Sequence, residues 1–252
     1  MEYSLIKEFL DEKEMQYNSP EFIDTDPICI PHRFKRKEDI EIAGFLTATI
    51  AWGKRSMIIK NALQMMELMD DAPYDFVMNA SENELKYMKS FKHRTFNGED
   101  MRFFILRLKD IYQEYSSLEN ALLQYPSNLA LSISRFKEIF MQNNTAHRSQ
   151  KHISNPMKNS AAKRINMYLR WMVRKDKTGV DFGLWNKISM SELKIPLDVH
   201  SGNTARKLGL LKRKQNDWKA VEELTEILKS FDANDPVKYD YALFGLGVFE
   251  KF

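Results

Sequence analysis

The chain has 252 residues, of which 43% are hydrophobic and 29% charged, and its net charge is +3 at neutral pH. This balance supports a buried core and excludes a disordered chain. The lone cysteine, Cys29, excludes an intrachain disulfide and an Fe–S cluster held by four cysteines. The charged N-terminus predicts no signal peptide, and no apolar run reaches the roughly 18 residues of a bilayer-spanning helix. We therefore expect a cytoplasmic protein without a membrane partner.

Helical patterns recur along the first half of the chain. Only 9 glycines occur, and no long alternation of apolar and polar residues indicates a sheet. Apolar residues at helical spacing predict helices over 39–50, 56–69 and 100–115, the last with Asp100 as its cap. Ser81 and Glu84 form a capping-box pattern that predicts a further helix start. The fold class predicted from these patterns is all-α.

The second half continues the helical pattern after a polar interruption. Residues 142–152 are predicted to be a flexible loop. This loop divides one globular all-helical unit, 1–252, into an N-terminal helical part, 1–141, and a C-terminal basic part, 153–252. The predicted elements of the basic part are a helix from Asn155-Pro156 to about Arg174, an irregular connection over 175–196 with a short helix near 181–185, a helix over 217–228, and a helix from Asp235-Pro236 to about Phe249.

Positive charge is concentrated in one segment of the chain. Residues 151–178 carry 8 lysines and arginines against a single acid, Asp176, for a net charge of +7, which leaves −4 for the rest. A second basic run follows over 206–219. This asymmetry indicates a polyanionic partner such as DNA or RNA, and a solvated helix face is the alternative.

One carboxylate, Asp198, stands between an apolar approach, 195–197, and a basic, helix-like run. As the N-cap of that helix it would accept a hydrogen bond from a backbone N–H two or three residues on. As a catalytic group it would stay ionised, because the N–H groups of a helix start favour negative charge. Such a carboxylate could stabilise a cationic sugar or activate water against it.

These residues resemble a known family. The stretch LDVHSGNTARKLGL, 197–210, resembles the "V-D-x-H-x-x-R-v-x-x-R-L-g-l" segment of the helix-hairpin-helix (HhH-GPD) DNA glycosylases. The stretches FLTATIAWGKRS, 45–56, and YDYALFGLG, 239–247, are similar to the family's early and closing helices. The whole chain also resembles an uncharacterised bacterial family, common in Bacteroidetes, near these glycosylases. The resemblance implies two packed helical lobes, DNA as partner and excision of a damaged or modified base, with Asp198 as the catalytic carboxylate.

The hairpin that carries the catalytic lysine in the glycosylase family is altered in this chain. The hairpin "L-P-G-v-G-x-K-T-A" has its only equivalent in 155–164, which lacks the glycines. If Ala161-Ala162 overlays the "T-A", Ser160 takes the place of the family lysine, with Lys158 and Lys163 nearby. A nucleophilic Lys163 or Lys158 would form a Schiff base and add lyase activity, whereas Ser160 would imply an enzyme that uses water.

The remaining candidate site residues are basic side chains that could contact nucleic acid and tryptophans that could stack on a base. Trp52 and Trp171 could stack on an extruded base, or they could be core residues. The five histidines show no ligand spacing such as H-E-x-x-H, so no metal and no cofactor is predicted. A non-catalytic nucleic-acid-binding protein and a protein-interaction domain stay open as alternatives, as do the base and the choice of DNA or RNA. The candidates for nucleic-acid contact are Lys151, Arg164, His200, Arg206 and Lys207.

Overall fold

The computed structural model describes residues 3–142 and 147–252, and most of them are helical. This confirms the predicted all-α class. Within the described residues the strands are β1 (Lys92–His93) and β2 (Phe96–Asn97), which pair antiparallel as a two-residue hairpin. The α-helices are α1 Tyr3–Tyr17, α2 Pro20–Thr25, α3 Lys37–Thr49, α4 Arg55–Glu67, α5 Pro73–Asn79, α6 Glu82–Tyr87, α7 Gly98–Tyr115, α8 Leu118–Leu122, α9 Leu129–Phe140, α10 Lys163–Val173, α11 Val199–Lys207, α12 Trp218–Phe231 and α13 Tyr239–Val248.

Short 3₁₀ turns connect many of these helices. They cover Pro27–Cys29, Pro31–Arg33, Met88–Ser90, His147–His152, Pro156–Lys158, Met190–Glu192 and Pro236–Lys238. Several begin with proline, whose fixed φ suits the first position of a helical turn and whose missing N–H would have no partner there.

One cluster of buried side chains runs through the helices on both sides of the polar loop. Helices α3 and α10 contact each other at Gly44, where an added Cβ would lie 3.2 Å from both Met172 and Tyr168. Phe45, on the next position of α3, packs against the ring of Tyr168, with 5.6 Å between ring centroids. The close crossing therefore gives α10 a fixed position against α3.

Capping side chains define several of the helix starts. Ser81 and Glu84 form the predicted capping box at α6. A second capping box starts α7, but its cap is Asn97, and Asp100 is the third helical residue whose carboxylate accepts from the Asn97 N–H. The prediction that Asp100 caps this helix is therefore wrong by three positions. Asp217 caps α12 through the N–H of Ala220, at 3.1 Å.

Two predicted helices begin later than their Asn-Pro and Asp-Pro pairs. Each pair opens only a 3₁₀ turn, and the α-helices start at Lys163 and Tyr239. In the first case Asn159 and Ala162 adopt left-handed backbone conformations, with φ of 62° and 49°. A right-handed helix cannot pass through such residues, so the chain turns before α10 begins.

The connection 175–196 is irregular, as predicted, but the short helix expected near 181–185 does not form. The N–H groups of Phe182 and Trp185 instead donate to the carbonyls of Trp171 and Met172, at 2.8 and 2.9 Å. These bonds satisfy the last carbonyls of α10, which lack partners within their own helix.

The polar segment 142–152 is only partly a loop. Its residues 143–146 lie outside the described part of the chain, and His147–His152 form a 3₁₀ helix. Ser149 donates a 2.8 Å hydrogen bond to the buried Asp100 at the start of α7. This bond ties the 3₁₀ helix to the N-terminal part of the molecule.

Candidate active site

A cavity of about 740 Å³ opens where the N-terminal ends of α10 and α11 face the region of α2 to α4 and α13. Its walls combine charged groups with aromatic rings. The charged groups that line it are Asp26, Arg55, Lys163, Arg164, Arg170, Asp198 and Asp240, and the rings are Phe22, Trp52, Tyr241 and Phe244. A concave site with convergent charges and apolar walls is typical of a ligand or substrate pocket.

Asp198 and Lys163 face each other in this cavity. The Oδ1 atom of Asp198 accepts a 2.9 Å hydrogen bond from the N–H of Ser201, so the residue is the N-cap of α11. Its Oδ2 atom lies 3.9 Å from the Nζ atom of Lys163. The side chains of Lys163 and Asp198 keep 30% and 19% of their exposure. The carboxylate therefore caps a helix with one oxygen and presents the other to an amine that solvent can reach.

A turn over residues 156–162, called the hairpin below, positions Lys163 at the first residue of α10. Ser160 pairs with Asp217 in an isolated β-bridge, and the side-chain amide of Asn159 donates to the Asp217 carboxylate at 3.0 Å. Arg213 also donates to this carboxylate and holds its pKa well below the usual range. The start of α12 thus fixes the hairpin that presents Lys163.

The other two residues predicted for the amine position lie differently. Ser160 lines the cavity, but its hydroxyl oxygen accepts from the N–H of Ala162 at 3.3 Å, within the turn itself. Lys158 is exposed on the 3₁₀ turn Pro156–Lys158 and is not among the residues that line the cavity. Of the three candidates, Lys163 is the one that the fold brings to Asp198.

Trp52 forms part of the cavity wall. The guanidinium carbon of Arg164 lies 5.0 Å from the centre of the Trp52 ring, and the His152 ring stacks at 6.0 Å. Arg164 also donates to the carbonyl of Thr49, and burial lowers its pKa to about 10, so it remains charged at neutral pH. Arg164 is thus a half-buried wall residue rather than a free surface cation.

Trp171 has no part in this wall. Its side chain is fully buried, and it does not line the cavity. Nearly all of α10 beyond Arg164 is enclosed by the core. A stacking role requires an open ring face, so burial corrects the prediction made for Trp171.

The predicted nucleic-acid contacts divide into two groups. His200 is exposed and lines the cavity, whereas Lys151 and Lys207 are exposed outside it. Arg206 is partly exposed but bonded within the chain, since it donates to the carbonyl of Arg213 at 2.8 Å and to the Asn216 side chain at 2.6 Å. Asn216 in turn donates to the backbone carbonyl of Asp198, at 2.9 Å. Arg206 therefore supports the catalytic candidate indirectly.

Two carboxylates in the cavity were missed by the sequence reasoning. Burial raises the pKa of Asp240 to about 6, although Arg170 donates a hydrogen bond to it. Burial also raises the pKa of Asp26, which caps the turn Pro27–Cys29 and lies 3.3 Å from Arg55. A single acid within the apolar stretch 239–248 is the sequence signal that could have pointed to Asp240.

Two of the arginines in the basic segment are buried ion-pair partners. Arg170 pairs with Asp181 and Asp240, and neighbouring acids hold its pKa above the usual range. Arg174 is 2% exposed as a side chain and pairs with Asp181 at 3.1 Å and with Asp235 at 2.9 Å. The +7 of residues 151–178 therefore overstates the positive charge that this segment presents to solvent.

Fold and site define a helical protein whose cavity holds a lysine–aspartate pair at two helix starts. Residues 26–249 match the family described as "Protein of unknown function (DUF2400)", and the chain belongs to this family. Comparison with curated proteins and with solved structures gave no match. Over residues 3–142 and 147–252, no helix is long and apolar enough to cross a bilayer, and no group of three or more His, Cys, Asp or Glu could hold a metal ion.

Proposed function

We propose that this protein binds DNA and cleaves the N-glycosidic bond of a damaged or modified base. The observation that carries the proposal is the 3.9 Å approach of the Lys163 amine to the Asp198 carboxylate inside one cavity. An enzyme that acts on a base must take it out of the duplex into such a pocket. The resemblance of 197–210 to the HhH-GPD glycosylases, with Asp198 at their catalytic position, supports the same activity.

The two groups have complementary roles in this chemistry. The ionised Asp198 stabilises the positive charge that develops on the sugar as the bond between C1′ and the base breaks. Lys163, once it has given up a proton to solvent, attacks C1′ with its free electron pair and forms a covalent bond to the sugar. Opening of the sugar ring converts this adduct into a Schiff base, from which strand cleavage can follow. The partly exposed ring of Trp52 lines the cavity and adds apolar surface against which the extruded base can pack.

Nearby cations support DNA binding. Lys151 and Lys158 are exposed on the segment 151–162, part of which lines the cavity, and the half-buried Arg164 forms part of its wall. Lysines and arginines that neutralise phosphates supply most of the sequence-independent affinity for DNA. With a DNA substrate, the protein would act in the cytoplasm.

A non-catalytic nucleic-acid-binding protein is the second candidate function. The hydrogen bond from Ser201 to Asp198 favours it, because a capping role alone accounts for an aspartate at this position. On this alternative, Lys163 and Asp198 form an ordinary partly exposed ion pair, which contributes little to stability.

Borohydride trapping separates the two functions. Incubation with DNA that carries an abasic site, followed by reduction, should link the parent protein covalently to the DNA, because reduction fixes the Schiff base. Lys163→Ala should abolish the adduct. Lys158→Ala is the matched control, since this lysine lies on the same hairpin but outside the cavity, and at saturating DNA its adduct should survive. An adduct that persists in Lys163→Ala would contradict the proposed role of this lysine.

A further inference from the structure

Asp240 is a largely buried carboxylate on the wall of the cavity. It is the second residue of α13, only 6% exposed, and it lines the cavity. Arg170 donates to its Oδ2 atom, whereas no hydrogen bond from a described residue reaches Oδ1. A carboxylate on the cavity wall with one oxygen uncommitted to the protein is available to a molecule that enters the cavity.

Charged groups on several elements of the fold lie near Asp240. Arg170 and Lys163 face it from α10, Asp198 from the start of α11, and Asp181 from the connection 175–196. Arg55, Asp26 and His200 stand on other parts of the cavity wall, and Asp11 and Glu14 of α1 face the preceding residues Lys238 and Tyr239.

Burial and the charges around Asp240 bring the pKa of its carboxyl group towards the neutral range. Burial is the largest influence and raises the pKa, and the negative charges of Asp198 and Asp181 act in the same direction. Arg170 and Lys163 oppose them, and the resulting pKa is about 6. The carboxyl group therefore gains and loses its proton close to neutral pH, as the best general acids do.

Base excision has a requirement that Lys163 and Asp198 do not meet. When the bond between C1′ and the base breaks, the base takes both electrons. A neutral base then leaves as an anion unless it gains a proton, whereas a base that is already cationic leaves as a neutral molecule. Lys163 and Asp198 both act on the sugar, so the proton for the base must come from another group.

We propose, on the basis of the base-excision function proposed above, that Asp240 is the general acid that protonates the departing base. The Oδ1–H bond breaks, and its proton moves to a ring nitrogen or carbonyl oxygen of the base. The electron pair of the glycosidic bond passes to the base, which leaves neutral, and C1′ accepts the electron pair of Lys163 or of water. Asp240 is left as a carboxylate beside Arg170 and regains its proton from solvent. The substrates that depend on this step are neutral bases.

The role of Asp240 is tested by measuring the excision of two bases by the parent protein, by Asp240→Asn and by a control variant, Asp235→Asn. The substrates are duplexes with 7-methylguanine, a cationic base, or hypoxanthine, a neutral base, and single-turnover rates are measured between pH 5 and pH 9. Parent protein should remove hypoxanthine more slowly as pH rises above about 6. Asp240→Asn should lose about 100-fold or more on hypoxanthine and should lose this pH dependence, with little change on 7-methylguanine.

Asp235→Asn is the matched control. Asp235 is also a buried acid with a pKa raised by burial, and it belongs to the same group of ion pairs, but it does not line the cavity. Its partner Arg174 keeps Asp176 and Asp181, so this variant should excise both bases at parental rates.

The outcomes separate this inference from the proposed function. Equal loss on both bases in Asp240→Asn, unchanged rates in that variant, or selective loss in Asp235→Asn would each overturn the role of Asp240 while leaving base excision intact. Parent protein that removes only 7-methylguanine would also overturn it, because that base needs no acid. Failure of the parent on both bases, together with no borohydride adduct, would overturn the excision function itself.

Discussion

The two carboxylate oxygens of Asp198 have different neighbours. One oxygen caps α11 through Ser201, and the other approaches Lys163. The presence of the cap therefore does not argue against catalysis. A substitution that preserves the cap and removes the charge can distinguish the two contributions.

We expect Asp198→Asn to fold normally and to lose activity. Asparagine caps helices about as well as aspartate, so the free energy of unfolding should change by only a few tenths of a kcal/mol. A neutral amide cannot stabilise a developing cation, so excision and adduct formation should fall sharply. Thermal unfolding and single-turnover excision, measured on the same preparation, report the two effects separately. A well-folded variant with parental excision would show that Asp198 is only a cap.

The site residues differ in how far the sequence could predict them. Asp198 was predictable because a cap and its helix are adjacent in the chain, and Lys163 was one of several candidates near it. Asp240 was not found, since its burial depends on Arg170, which is 70 residues away in sequence. Sequence periodicity indicates which residues share a helix face, but it does not indicate which distant charge will satisfy a buried acid.

At the scale of elements, the hairpin over 156–162 decides where α10 begins. The pair Asn155-Pro156 indicated a helix start, and no residue pattern indicated that Ala162 would adopt a left-handed conformation. This conformation is costly for alanine, so contacts elsewhere must stabilise it. The hydrogen bond from the Asn159 side chain to Asp217 and the backbone β-bridge between Ser160 and Asp217 supply such contacts, and both depend on the start of α12.

Asp217→Ala should therefore affect the site as well as stability. Loss of the cap on α12 should cost about 1 kcal/mol, and the hairpin should lose the hydrogen bond from Asn159 to the Asp217 carboxylate. We expect slower borohydride trapping at Lys163, because the amine is no longer held at a fixed place near Asp198. Denaturant unfolding and the rate of adduct formation measure the two effects.

Ser81→Ala provides the comparison for this experiment. Ser81 caps α6 in the same way, but it does not line the cavity. Its loss should cost a similar amount of stability and leave the trapping rate unchanged. Equal trapping rates in the Asp217 and Ser81 variants would mean that the hairpin does not position Lys163.

At the scale of the whole molecule, the basic residues of the segment 151–178 include a buried group and an exposed group. Arg170 and Arg174 are buried and paired with acids, whereas Lys151, Lys158, Lys175 and Lys177 are exposed. The exposed lysines also fall into two places. Lys151 and Lys158 lie near the N-terminal end of α10, where the cavity opens, and Lys175 and Lys177 follow its C-terminal end.

Salt dependence of DNA binding can separate these two places. Each phosphate that a protein neutralises makes the logarithm of the binding constant fall by about 0.9 per unit of log salt concentration. We expect Lys151→Gln with Lys158→Gln to weaken binding and to reduce this slope by up to about 2. Lys175→Gln with Lys177→Gln removes the same charge from the same segment, but at the end of α10 away from the cavity. This second pair should keep the parental slope. Equal slopes for the two double variants would show that DNA does not lie across the opening of the cavity, and the proposed binding mode would then be wrong.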